Sequence, residues 1–187
     1  KEPFTTANVT VRDLLCHRTG LPRHDAYWID GPCTRKEMVE NLRNMQPGWS
    51  FRSHWCYQNT CIVAAGMLVE EMTGKTWEEF VKKEIFEPLG MTRTDFQPNC
   101  RPNPRLAALY EFDPSSRRLA PRSGQSEFAF LPNFFSGGSG LTSCVEDYLR
   151  FADALACGGV GADGSRILRP ETIDLMRTEQ LPSFRVD

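Results

Sequence analysis

The sequence predicts a mainly α-helical fold with one small β-hairpin. Three observations support it. Thr34 with Glu37, and Thr76 with Glu79, have the Thr-x-x-Glu spacing of a capping box, in which a side chain and the backbone satisfy each other at a helix start. The apolar stretch from Ile62 to Met72 is closed by Gly74, the residue type that ends helices in a left-handed turn. No succession of alternating strands is present that could build a large sheet.

The elements follow in chain order. Thr10 caps a helix over residues 11–17, with Asp13 in its first turn and Gly20 beyond its end. Thr34 opens a polar helix reaching about Asn44. After Asn59, itself a good N-cap residue, comes the apolar helix. Thr76 opens an amphipathic helix with Trp77, Phe80, Val81 and Ile85 on one face, and Pro88 stops it. Between about residues 97 and 133, prolines and short apolar pieces replace helical periodicity. Segments 107–112 and 117–119 flank Asp113-Pro114-Ser115-Ser116, which predicts a surface hairpin. A glycine-rich loop, 136–141, follows. Ser143 and Glu146 are expected to cap a helix carrying Tyr148, Leu149, Phe151, Ala152 and Leu155, ended by Gly158-Gly159. Asp163-Gly164 marks a turn, and Pro170 suits the first position of a last helix.

Composition narrows the function classes. The 187 residues suffice for one domain with a sizeable core. Hydrophobic residues make up 40% and charged residues 25%, as in an ordinary globular protein. The net charge is −2 with both signs scattered, so no basic stripe marks a nucleic-acid partner. No apolar run reaches the roughly 18 residues of a membrane-spanning helix, and residues 1–10 lack a signal-peptide core. The seven cysteines are an odd number, so they cannot all pair within the chain, and no Cys-x-x-Cys occurs. Cys61 and Cys157 stand in helical patterns where a small apolar residue would serve. Most of the cysteines are therefore expected to be reduced core residues, which leans towards a reducing, cytoplasmic compartment, with an extracytoplasmic one as the alternative.

Few motifs carry chemistry. Gly137-Gly138-Ser139-Gly140 is not a nucleophile elbow, because Leu141 stands where Gly-x-Ser-x-Gly needs its last glycine. The loop reads either as a backbone wall of a substrate cleft or as a plain turn. His54, Cys56 and Cys61 are zinc-type donors without a fourth ligand at a sensible spacing, so no metal and no cofactor is expected. His17 reads as a structural group at a helix end. Trp28, Trp49, Trp55 and Trp77, with Phe134 and Phe135, are candidates to line a cleft, at least half of them as ordinary core. Tyr57-Gln58-Asn59 taken alone reads as a surface aromatic followed by an N-cap asparagine.

Its context gives the triplet more weight. The segment Val9-Thr10-Val11-Arg12-Asp13-Leu14-Leu15-Cys16-His17-Arg18-Thr19-Gly20-Leu21-Pro22 resembles the T-(V/I)-R-x-L-L-x-H-x-S-G-(L/I) segment of class C β-lactamase-like and penicillin-binding-protein-like serine hydrolases. Tyr57-Gln58-Asn59 falls where that family has its Tyr-x-Asn. Ala64 through Gly74, Trp77 through Phe80, and Ile85-Phe86-Glu87-Pro88-Leu89-Gly90-Met91-Thr92-Arg93-Thr94 are similar to the family's next segments. Ser136 through Ser143, with Asp147, Phe151 and Leu155, resembles its G-G-L-x-S-x-x-D-(L/Y)-x-x-F segment. The four matches come in order and cover nearly the whole chain.

The resemblance implies a mechanism. Family members acylate the serine of a Ser-x-x-Lys with an amide, lactam or ester carbonyl. Lysine and tyrosine shuttle its proton; a free phenol titrates near 10 and a neighbouring cation can lower that. By position, Tyr57 would be the general acid/base and Asn59 the residue that orients lysine and substrate. Gly137, Gly138 and Ser139 would edge the substrate cleft. The partner would be a small-molecule or short-peptide acyl donor.

This sequence departs from the pattern. None of the five lysines follows a serine by three positions, and no Lys-Thr-Gly or His-x-Gly occurs. Pro47-Gly48 also lies ten residues before Tyr57, further than in many relatives. In the family, Ser-x-x-Lys lies upstream of the segment matched here and the Lys/His-x-Gly strand downstream. Residues 1–187 are therefore expected to be a single helical subdomain of the β-lactamase/transpeptidase-like fold, lacking most of the sheet domain, inactive alone and prone to self-association through an exposed apolar face. The alternative is a non-catalytic peptide- or partner-binding module derived from that fold.

Overall fold

In the computed structural model, the described residues are 2–24, 33–96, 106–108, 110–121 and 135–181. They form seven α-helices and two small antiparallel sheets. Helix α1 spans Pro3–Asn8 and α2 Val11–Leu15. Helix α3, Arg35–Asn41, tightens into a 3-10 turn over Leu42–Asn44. Helix α4 runs over Asn59–Thr73 and α5 over Trp77–Val81, continuing as a π-helical turn through Lys82–Phe86. Strands β1 (Asp95–Phe96) and β4 (Leu141–Thr142) pair, as do β2 (Tyr110–Asp113) and β3 (Arg118–Pro121). Helices α6, Val145–Ala156, and α7, Pro170–Arg177, complete the order.

The capping chemistry behaves as the sequence predicts. Complete boxes close at Thr34/Glu37 and Thr76/Glu79, and a third forms at Thr10/Asp13. Gly74 ends α4 at φ 67°, a conformation costly for a side chain bearing Cβ. The hairpin folds around Asp113, which accepts hydrogen bonds from Ser115 and Ser116.

Other expectations need correction. Helix α2 stops at Leu15 rather than residue 17, because His17 turns into the left-handed region at φ 55°. Gln58, not Asn59, is the N-cap of α4; its side chain accepts from the Thr60 N–H. Ser143 does not cap α6. The N-cap is Cys144, without a side-chain bond, and the Ser143 hydroxyl pairs with that of Thr94 at 2.8 Å. Cys157 is exposed rather than core, whereas Cys61 is fully buried. Helix α1 has no apolar periodicity to predict it; Glu2 organises it by accepting from the Phe4 and Thr5 N–H groups. The segment around 97–133 lies largely outside the described residues, as do Trp28 and Phe134.

Packing divides in two. Val81, Phe86, Leu89, Met91, Phe96 and Ala154 form the main apolar core, joined at its edge by Phe80, Phe135, Phe151 and Ile167. A smaller cluster, Met38 with Val63, holds α3 against α4. Polar struts cross between these layers. Arg35 pairs with Glu70 at 2.7 Å and with Glu78, and donates to the Phe135 carbonyl at 2.6 Å. That carbonyl immediately precedes the glycine loop, so one guanidinium ties α3, α4, α5 and the loop together. Buried Asp147 accepts from the Arg93 N–H at 2.6 Å and the Thr94 hydroxyl at 3.0 Å, fixing α6 to the approach to β1. On the outer side of α6, Val145, Tyr148 and Leu149 are exposed at helical spacing. Among the described residues, no helix is long and apolar enough to cross a membrane.

Candidate active site

The site is assembled where the segment after α2 meets the segment before α4. Backbone N–H groups of residues 48–56 hang from carbonyls of residues 17–20. Gly48 and Trp49 donate to Gly20, Arg52 to Arg18, and Cys56 to His17, at 2.9–3.2 Å. Gly20 sits at φ 85°, and a Cβ there would stand 2.5 Å from the Trp49 carbonyl oxygen, so only glycine permits this approach.

An ionic cluster locks the same junction. The fully buried Asp13 carboxylate accepts from Arg18 Nε at 2.6 Å, from Arg52 Nε and Nη2 at 2.8 Å each, and from the Thr10 hydroxyl at 2.6 Å. Burial opposes its charge, but the hydrogen bonds from Arg52, Thr10 and Arg18 outweigh burial and hold the carboxyl well below the usual carboxylate range. Arg52 adopts φ 60°, and the paired carboxylate holds it there.

This frame delivers the triplet with alternating faces. Gln58 points inward and is fully buried. Its amide donates to the Pro22 carbonyl at 2.5 Å, and its side-chain oxygen accepts from the Thr60 hydroxyl at 3.1 Å. Its neighbours turn the other way. Tyr57 is 40% exposed. The His17 ring lies 4.7 Å from the Tyr57 ring, the Trp55 ring 6.5 Å, and the Arg23 guanidinium 5.4 Å. Asn59 opens α4, and its Oδ1 lies 3.3 Å from where a Cβ on Gly138 would stand.

The glycine loop thus rests on the first turn of α4. A Cβ on Gly137 would meet Ile62 at 3.1 Å and Trp77 at 3.6 Å. The loop closes on itself: Ser136 and Ser139 pair through their backbones, and the Gly138 N–H donates to Ser136 Oγ at 3.2 Å. The structure therefore brings Asn59 to Gly137 and Gly138, whereas the ring contacts of Tyr57 come from the α2 side. Of the aromatic candidates, Trp49 stacks on His54 at 4.2 Å and Trp55 meets His17 edge-on. Trp77 lies beneath the loop and Phe135 packs on Phe96, so these two support the site from below.

Sequence reasoning missed Gln58, Asp13 and Arg52 as the parts that hold the motif. The middle position of Tyr-x-Asn carries no chemistry to flag it, and the Asp13–Arg52 pair spans 39 positions. The thiol of Cys61 is pushed up to about 11 by burial, an environment opposite to that of a thiolate metal ligand.

Together with this mainly helical frame, the family match and the superpositions that follow place the chain in the β-lactamase/transpeptidase-like fold. The chain belongs to the Beta-lactamase family, whose model matches residues 2–185. It is 30% identical over 166 residues to an unguisins hydrolase from Aspergillus campestris, covering 81% of this chain and 29% of that protein. The octameric penicillin-binding protein homologue from Pyrococcus abyssi superposes with a TM-score of 0.72 at 29% identity, over 91% of this chain and 38% of its own. The D-amino acid amidase from Ochrobactrum anthropi SV3 gives 0.69 at 27% identity, over 90% of this chain and 47% of its own. The chain spans less than half the length of each of these proteins.

Proposed function

We propose that residues 1–187 form the helical subdomain of a serine hydrolase that passes through an acyl-serine intermediate with amide, lactam or ester substrates. The single observation behind this reading is Asn59 at the head of α4, under the Gly137–Gly138 roof, with the exposed Tyr57 two residues before it. The amidase and hydrolase relatives support the class of bond attacked.

In this scheme a serine Oγ attacks the carbonyl carbon and loses its proton towards Tyr57. The tetrahedral oxyanion collapses, and the leaving amine or alcohol takes a proton from the same phenol. Water then attacks the acyl-serine, releasing the acid and restoring the hydroxyl. Asn59 orients the neighbouring lysine and the substrate amide, and the backbone of Gly137, Gly138 and Ser139 walls the cleft. The nucleophile and its lysine come from outside 1–187, because no Ser-x-x-Lys occurs within it. Residues 1–187 alone are therefore inactive. Self-association belongs to the same proposal: Val145, Tyr148 and Leu149 offer an exposed apolar stripe, and a related protein is octameric.

Intact-mass analysis after incubation with a penicillin, and separately with a fluorophosphonate, tests the reading. A longer chain carrying the flanking residues gains a stable adduct, while 1–187 gains none. An adduct on 1–187 means that a serine here, Ser139 or Ser143, is reactive and overturns it. No adduct on either chain favours a non-catalytic binding module.

A further inference from the structure

His17 touches three consecutive residues of the Tyr57 segment. Its carbonyl accepts the Cys56 N–H at 3.0 Å. Its ring meets the Tyr57 ring at 4.7 Å, tilted by 43°. Its Nδ1 accepts the Gln58 N–H at 3.2 Å. Two of these are directed hydrogen bonds to the positions on either side of the phenol, and the third is contact with the phenol ring itself. Histidine is also among the few residue types besides glycine that populate its left-handed backbone, φ 55°.

A nitrogen that accepts a hydrogen bond cannot carry a proton. Nδ1 must hold its lone pair, so the ring is neutral with its proton on Nε2. Protonation would set an N–H against the Gln58 N–H and break the side-chain bond that holds the backbone between Tyr57 and Asn59. Burial favours the neutral ring and pushes the His17 pKa below its ordinary value.

We propose that His17 is the positioning residue of the Tyr57–Asn59 motif, holding the phenol and the Gln58 backbone in register through its unprotonated Nδ1 and its ring. The inference rests on the hydrolase reading for what Tyr57 and Asn59 do, but its geometry stands apart from it. Among the described residues, the titratable and charged groups that face His17 include the Tyr57 phenol in ring contact and Arg23 over that phenol; the neighbouring Arg18 is turned to Asp13. The sign follows from the depressed pKa: the motif is held in register above the ordinary histidine range and is released as pH falls through the lower folded value.

Two readouts test this. The first is nitrogen-15 NMR of the three histidines and of the Gln58 amide across pH. His17 is expected as the Nε2–H tautomer, and the Gln58 amide proton shifts upfield with the His17 midpoint. His17→Phe keeps a ring but no acceptor and gives the same shift at neutral pH. His17→Asn offers an oxygen acceptor, tolerates the left-handed backbone and reverses it. An Nδ1–H tautomer, or a Gln58 amide that ignores the His17 titration, overturns the proposal. The second readout is acylation by the longer chain. His17→Phe lowers kcat/KM about a hundredfold, the scale of an ångström misplacement, and His17→Asn recovers most of it. Unchanged acylation in His17→Phe overturns the positioning role. The expected NMR behaviour with no acylation by any variant supports the positioning geometry and counts against the hydrolase reading alone.

Discussion

The two ends of α4 are held by different physics. Beyond its C-terminus the chain continues into α5 and the π-helical turn, and with α6 these bury Val81, Phe86, Leu89, Met91 and Phe96 in the main apolar core. At its N-terminus three polar side chains, Asp13, Gln58 and Thr60, are fully buried beside Cys61. Apolar burial is strong but tolerant of direction, whereas hydrogen bonds fix atoms to within a few tenths of an ångström. The Tyr57 side of the candidate site stands on the directed half, while Trp77 and Phe135, at the edge of the apolar core, support its glycine loop from below.

That contrast can be broken from either side. The largest stability loss is expected for Phe86→Ala, 5% exposed in the main core, at about 4 kcal/mol in urea unfolding. It should leave the surroundings of Tyr57 unchanged at temperatures where the protein is folded. Asp13→Asn comes next, at about 2–3 kcal/mol, because the partner guanidiniums are partly exposed and rehydrate. Its signature is acid behaviour. The folded pKa is depressed, so the wild-type contribution is complete above the unfolded carboxyl value, about 4, and drains away as pH falls towards the folded one. The variant should therefore lose less stability than the wild type between about pH 4 and pH 2.

Gly138→Ala sharpens the comparison at the site itself. The new methyl would crowd Asn59 Oδ1 at 3.3 Å. Stability should fall by no more than about 1 kcal/mol, while acylation by the longer chain drops about tenfold or more. The smallest effect is expected for Thr76→Ala, which removes one capping box on the apolar side and costs about 1 kcal/mol without touching acylation.

The legibility of the sequence follows the same divide. Local signals were readable: the Thr-x-x-Glu boxes, Gly74, the Asp113 turn and Pro170 each act within a few residues. The proposed Tyr-x-Asn site rests on its resemblance to known hydrolases, not on the chemistry of the triplet itself. The parts that hold it were not readable. Asp13 with Arg52 and His17 with Gln58 lie about forty positions apart, and no local period links them. Ser143 has the local look of a cap, but its hydroxyl has a tertiary partner in Thr94 that outcompetes the helix start. Helix α1 leaves no periodic signal, because a single glutamate cap, rather than an apolar stripe, organises it.

The central claim is that Tyr57 moves the proton in acylation. Single-turnover acylation of the longer chain by a chromogenic β-lactam or ester, compared between wild type and Tyr57→Phe, tests it most directly. The account predicts a rate lowered by about two to four orders of magnitude with the same serine labelled, since the ring contacts survive and only the hydroxyl is lost. Acylation at the wild-type rate would contradict it and return Tyr57 to the role of a surface aromatic.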